Sequence, residues 1–131
     1  MTSRSTQYSA QELKKYGGKT ILLFSGTVAA TGTNRTNTSY PILNVMQFKE
    51  ASFFLRLSEI IGTPGTFDLD VESKSPAGEF YETLASFAQL AAAGNEKINV
   101  AANLGSHISL AWTIVTFTSA TFTVHGVFKI M

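Results

Sequence analysis

The sequence contains no cysteine, and that one absence removes disulfide staples, thiolate nucleophiles and cysteine-ligated zinc sites together. Charge is scarce as well. Lys, Arg, Asp and Glu make up 15% of the 131 residues, where soluble monomers usually carry about a quarter. A surface so short of charge must be built from Ser, Thr, Asn, Gly and apolar groups, and such surfaces often end up covered by a partner. The net charge is +1 and no segment gathers Lys and Arg into a basic stripe, so counterion release on nucleic acid has little to act on. No apolar run approaches the ~20 residues of a membrane-crossing helix. The stretch Met1-Thr2-Ser3-Arg4-Ser5-Thr6 lacks the apolar centre of a secretion signal. The expectation is a chain made and kept in soluble form, with neither nucleic acid nor membrane as partner.

What is present suits one packed domain. Hydrophobic residues reach 44%, and a chain of this length buries roughly two-thirds of its unfolded surface in a single core. Residues 1–18 read as an N-terminal arm: Thr2 to Ser9 is polar without periodicity, Ser9-Ala10-Gln11-Glu12 resembles a capping box, and Gly17-Gly18 ends the short helix it would start. Residues 19–131 read as a β-sandwich. Thr20-Ile21-Leu22-Leu23-Phe24 suits a buried strand, and Thr31 to Ser39 an exposed loop. Ile42 to Phe48 suits a further strand entered through Pro41. The strongest signals are alternations. Phe53, Leu55 and Leu57 share one face, with Arg56 and Ser58 on the other. Phe67, Leu69 and Val71 alternate with Asp68, Asp70 and Glu72. Ile108, Leu110, Trp112 and Ile114, and then Phe122, Val124, Gly126, Phe128 and Ile130, continue the pattern. Gly62-Thr63-Pro64-Gly65 and Ser75-Pro76-Ala77-Gly78 make turns. Ser86 to Ala93 is rich in Ala and Leu and suits a short helix ending at Gly94-Asn95. The fold class expected is all-β, an antiparallel, jelly-roll-like sandwich with a short N-terminal arm or helix. Its predicted core includes Phe67, Leu69, Val71, Leu110, Trp112, Phe122 and Val124.

Catalytic chemistry finds little support. Asp68, Asp70 and Glu72 lie on one strand face about 7 Å apart in succession, too widely spaced along a straight strand for a calcium site, and read best as a solvated outer face. His107 and His125 fall on the polar registers of their strands without an acid nearby in sequence, so they read as surface or interface residues, with pairing across adjacent strands as the alternative. There is no Gly-x-Ser-x-Gly elbow and no phosphate-cradling glycine loop. Asn34-Arg35-Thr36 and Asn37-Thr38-Ser39 match the glycosylation pattern as by-products of an Asn/Thr-rich loop. No catalytic residue, metal ligand or cofactor is assigned.

The stretch from Leu55 to Ile130 resembles structural proteins of tailed bacteriophages. Leu57-Ser58-Glu59-Ile60-Ile61-Gly62-Thr63-Pro64-Gly65-Thr66-Phe67-Asp68-Leu69-Asp70-Val71-Glu72 is similar to their strand, Gly-Thr-(Ser/Pro) turn and alternating Leu-Asp-Val strand. Ser75-Pro76-Ala77-Gly78-Glu79-Phe80-Tyr81-Glu82-Thr83-Leu84 resembles the Ser-Pro-Asp-Gly hairpin that follows, with Ala77 and Phe80 as departures. The resemblance implies a β-sandwich virion component of the capsid decoration, or cement, type. Such a protein is not an enzyme and commonly forms homotrimers. It sits on the outer capsid surface against the major capsid protein, after synthesis in the host cytoplasm. Arg4, Tyr8, Leu13, Lys14 and Tyr16 of the arm, with Arg35 of the polar loop, are the candidate partner-contact residues. The alternatives are a tail, neck or fibre-associated virion protein, or a module that binds host carbohydrate through loops such as Thr31 to Tyr40.

Overall fold

A computed structural model describes residues 18–74, 81–101 and 103–130. They form β1 (Gly18–Val28), β2 (Gly32–Thr33), β3 (Leu43–Asn44), β4 (Glu50–Ile61), β5 (Thr66–Lys74), β6 (Tyr81–Ser86), β7 (Gly94–Val100), β8 (His107–Val115) and β9 (Ser119–Lys129). Every pairing is antiparallel. One sheet has the order β1-β9-β4-β7 and the other β2-β8-β5-β6, with the two-residue β3 also on β8. With the short β2 and β3 taken as one interrupted strand, this order is that of a jelly roll: consecutive strands mostly alternate between the sheets, as two nested Greek keys require.

The alternating segments become strands because each supplies one apolar face. Phe53, Leu55 and Leu57 from β4 and Phe122, Val124 and Phe128 from β9 meet Phe67, Leu69 and Val71 from β5 and Ile108, Leu110 and Trp112 from β8, and all of these are buried. All seven predicted core residues are among them. At the centre, the Phe122 ring lies 4.9 Å from both Phe24 and Phe67 and 5.5 Å from Trp112, centroid to centroid, within the range of favourable aromatic pairs. Gly126 breaks the apolar row of β9 for a steric reason. A Cβ there would collide with the ring of Phe128, so the missing side chain is the space that ring occupies. At the turn after β4, Gly62 has φ 90° and backs onto Thr118, whose backbone N–H donates to Ile61 C=O at 2.7 Å.

Several local expectations are corrected. Thr20 to Phe24 is not a uniformly buried strand. It belongs to β1, a sheet edge, where Leu22 is 42% exposed and a bulge turns both Leu23 and Phe24 inward. The strand expected over Ile42 to Phe48 shrinks to Leu43–Asn44, because Val45 and Phe48 close a turn that drops both side chains into the core. Ser86 to Ala93 is not helical. Phe87 N–H donates to Leu69 C=O at 3.0 Å, while Leu90 and Phe67 exchange both backbone bonds at 2.8 and 2.9 Å, so the segment runs extended along β5. The exposed loop of Thr31 to Ser39 has a buried anchor in Asn34. Its Oδ1 accepts from Leu110 N–H at 2.7 Å, and its amide donates to Tyr40 C=O at 3.0 Å. This one side chain bridges the ladder between β2 and β3, both of which pair with β8. The expected arm, and the turn at Ser75 to Gly78, lie outside the described residues apart from Gly18, which opens β1.

Candidate functional site

Three places combine side chains that local sequence keeps apart. The first lies over the outer face of the second sheet. Arg35 follows β2 and reaches across β8 to Glu72 on β5, with Nε to Oε1 at 3.0 Å and the terminal nitrogen to Oε2 at 2.6 Å. Ser109, buried between them on β8, donates to Oε1 at 2.9 Å, and the guanidinium stacks 3.8 Å above the centroid of the Tyr81 ring. The hydrogen bond to Glu72 raises the Arg35 pKa against the opposing effect of burial. Glu72 is therefore buried and fork-paired rather than one of three equivalent solvated carboxylates. The solvated-face expectation suits Asp68 and Asp70, which are half-exposed. Asp68 accepts from the Gln89 amide at 3.0 Å. Arg35, a candidate partner residue, is held within its own chain; Arg4, Tyr8, Leu13, Lys14 and Tyr16 lie outside the described residues. The histidines are on different sheets, so they do not pair across adjacent strands. His107 Nδ1 lies 2.9 Å from Ser106 Oγ. Among the described residues, no group of three or more His, Asp or Glu is placed to hold a metal ion.

The second place is the end of the sandwich where four connections meet: 29–31, 62–65, 87–93 and 116–118. None of the four contains a charged residue. Ile61 and Val115, at the strand ends beneath them, are 51% and 50% exposed, and Ala29, Ala30, Ala91, Ala92 and Ala93 are exposed as well. The connections are pinned. Thr118 binds Ile61, the Leu90 pair ties the third connection to β5, Thr31 Oγ1 accepts from Ile114 N–H at 3.0 Å, and Ala30 C=O accepts from the Trp112 indole at 3.0 Å. Sequence reasoning met them apart, with Gly62 to Gly65 as a turn, Ser86 to Ala93 as a short helix and Thr31 as the start of an exposed loop. Their common lack of charge was readable, but that they share one end follows only from the strand order.

The third place is a cleft of about 530 Å³ on the outer face of the first sheet. Strand register sets Lys97, Phe54 and His125 in one row across β7, β4 and β9, and Asn95, Arg56 and Thr123 in the next. Phe54 is 39% exposed, and Lys97 Nζ lies 5.6 Å from its ring centroid. Glu96 also lines the cleft, but its Oε1 accepts from Ala88 N–H at 2.8 Å. The sequence carried a signal for this site: Phe54 is the apolar residue on the polar register of β4.

Neither a family model nor a curated protein matches this sequence. Among solved structures, the chain is similar to the CBM22-1 and GH10 modules of the N-terminal endo-1,4-beta-D-xylanase 10B of Clostridium thermocellum complexed with xylohexaose, at 11% identity and a TM-score of 0.47. The match covers 82% of this chain and 28% of that one.

Proposed function

We propose that this chain is a non-catalytic virion subunit that decorates the outer capsid of a tailed bacteriophage and cements neighbouring capsomers. The observation that carries the reading is the charge-free end of the jelly roll, where Ile61, Val115 and the exposed alanines stand on connections already fixed by hydrogen bonds. A fixed, uncharged surface loses little conformational entropy and desolvates few ions on docking, which favours a neutral protein surface as its partner. The resemblance of Leu55 to Ile130 to phage structural proteins supports a capsid as that partner. The charge-poor remainder of the surface suits contact between copies of the subunit, and a trimer would present three such ends together. A carbohydrate site built on Thr31 to Tyr40 has less in its favour, because Asn34 and Arg35 already spend their polar groups within the chain.

Quantitative mass spectrometry of purified particles tests the reading. A decoration protein is present in hundreds of copies, in fixed ratio to the major capsid protein. A copy number in the tens, or recovery with isolated tails, assigns the chain to the tail, neck or fibre and overturns the capsid role.

A further inference from the structure

We propose that the cleft around Phe54 binds an acidic saccharide, a pyranose unit bearing a carboxylate. Phe54 sits on β4 between β9 and β7, so both backbone edges of its strand are paired and the floor of the cleft offers side chains. An extended peptide gains most of its affinity from a free strand edge, and the nearest one is the outer side of β7, one strand removed from the Phe54 ring. Its floor is a phenyl ring, whose electron-rich face attracts the weakly positive C–H face of a sugar ring. Around that ring stand Arg56, Lys97 and His125, while the Glu96 carboxylate is turned to the Ala88 N–H. Glu59 lies farther along β4, beyond the bulge that follows Leu57. The planar fork of Arg56 matches a carboxylate in two-point contact, and the Lys97 ammonium, at 5.6 Å from the ring, adds charge without closing the cleft. Asn95 and Thr123 supply neutral donors and acceptors for hydroxyls. A ligand that uses every part of this set has a flat apolar face, a rim of hydroxyls and one negative charge. The volume lies within the usual range of small-molecule clefts. The inference stands apart from the capsid role: the cleft and the charge-free end share no residue, and they meet where Glu96 accepts from Ala88.

Titration of the full chain, followed by calorimetry and by amide chemical shifts, decides the matter with five probes: oligogalacturonate, oligoalginate, sialyl-oligosaccharide, a neutral cello-oligosaccharide and poly-glutamate. At least one acidic saccharide should bind saturably, with shifts centred on Phe54, Arg56 and Thr123. Phe54→Ala should weaken that binding on the order of tenfold, and Arg56→Gln should weaken it several-fold while leaving the melting temperature unchanged. Failure of all three acidic saccharides to bind overturns the proposal, as does equal affinity for the neutral oligosaccharide. Tight binding of poly-glutamate that ignores Phe54→Ala also overturns it, because the site would then be a charge patch for acidic protein.

Discussion

Trp112 lies against Phe24 and Phe122, with ring centroids 5.0 and 5.5 Å away, and its indole N–H donates to Ala30 C=O. Replacing it with Ala removes both the aromatic contacts and one pin of the charge-free end, so chemical denaturation should show a loss of about 3–5 kcal/mol. Asn34 carries a different load. Asn34→Ala leaves the Leu110 N–H and the Tyr40 carbonyl without their partner, and should cost about 1–3 kcal/mol in the same measurement. Glu72→Gln keeps the shape but removes the charge that Arg35 and Ser109 address, and a loss of about 1–3 kcal/mol is expected, since the Arg35 side chain remains partly solvated. At this scale the sequence was legible wherever one residue's character decides its fate. Period 2 identified Phe67, Leu69, Val71, Leu110, Trp112, Phe122 and Val124 as core. It could not separate Glu72 from Asp68 and Asp70, because burial of Glu72 depends on Arg35, which is 37 positions away in the chain and crosses β8 to reach it.

The connections are where local reading and tertiary structure part company. Ser86 to Ala93 has helical composition, yet its Phe87 and Leu90 satisfy the free edge of β5 near Phe67 and Leu69, and tertiary hydrogen bonds override a propensity worth only tenths of a kilocalorie per residue. The same connection then serves as part of the charge-free end. If that end docks on the capsid, a charge placed on an exposed, unpaired side chain should block docking without unfolding the domain. Ala92→Glu and Val115→Lys, alone or together, should shift the thermal melt by no more than about 2–4 °C and sharply reduce co-sedimentation with particles. Normal decoration by the double variant would defeat the assignment of this face. Residues 1–17 join the sandwich at Gly18, which pairs with Lys129 at the opposite end from Ile61 and Val115. Their deletion should preserve the sandwich, as judged by an unchanged melt. If the arm contributes attachment, the truncated chain will bind particles more weakly; equal binding of both forms would remove the arm from the interface.

For the whole molecule, the cement reading makes a mechanical claim. A ligand that binds only the assembled lattice shifts the equilibrium away from disassembly, so particles stripped of this protein should release their genome at lower temperature than decorated ones. Equal release temperatures would leave the chain as an ornament rather than a cement. The all-β class, the sandwich and the core were legible because alternation is a local signal. The strand order was not, because nothing local says that the first strand lies beside the last. That neighbourhood has a consequence for biosynthesis. Among the described residues β9 is the strand that lies between β1 and β4 and joins them, so the first sheet remains in two separate pieces until β9 itself has been synthesised and has paired. Pairings so distant in sequence form late and slowly. The connection 116–118, and with it the pinned surface at that end, cannot be completed earlier than β9. On the cement reading, a nascent chain that still lacks β9 cannot carry the finished docking face, and the subunit becomes able to bind its neighbours only after β9 has been made and has paired.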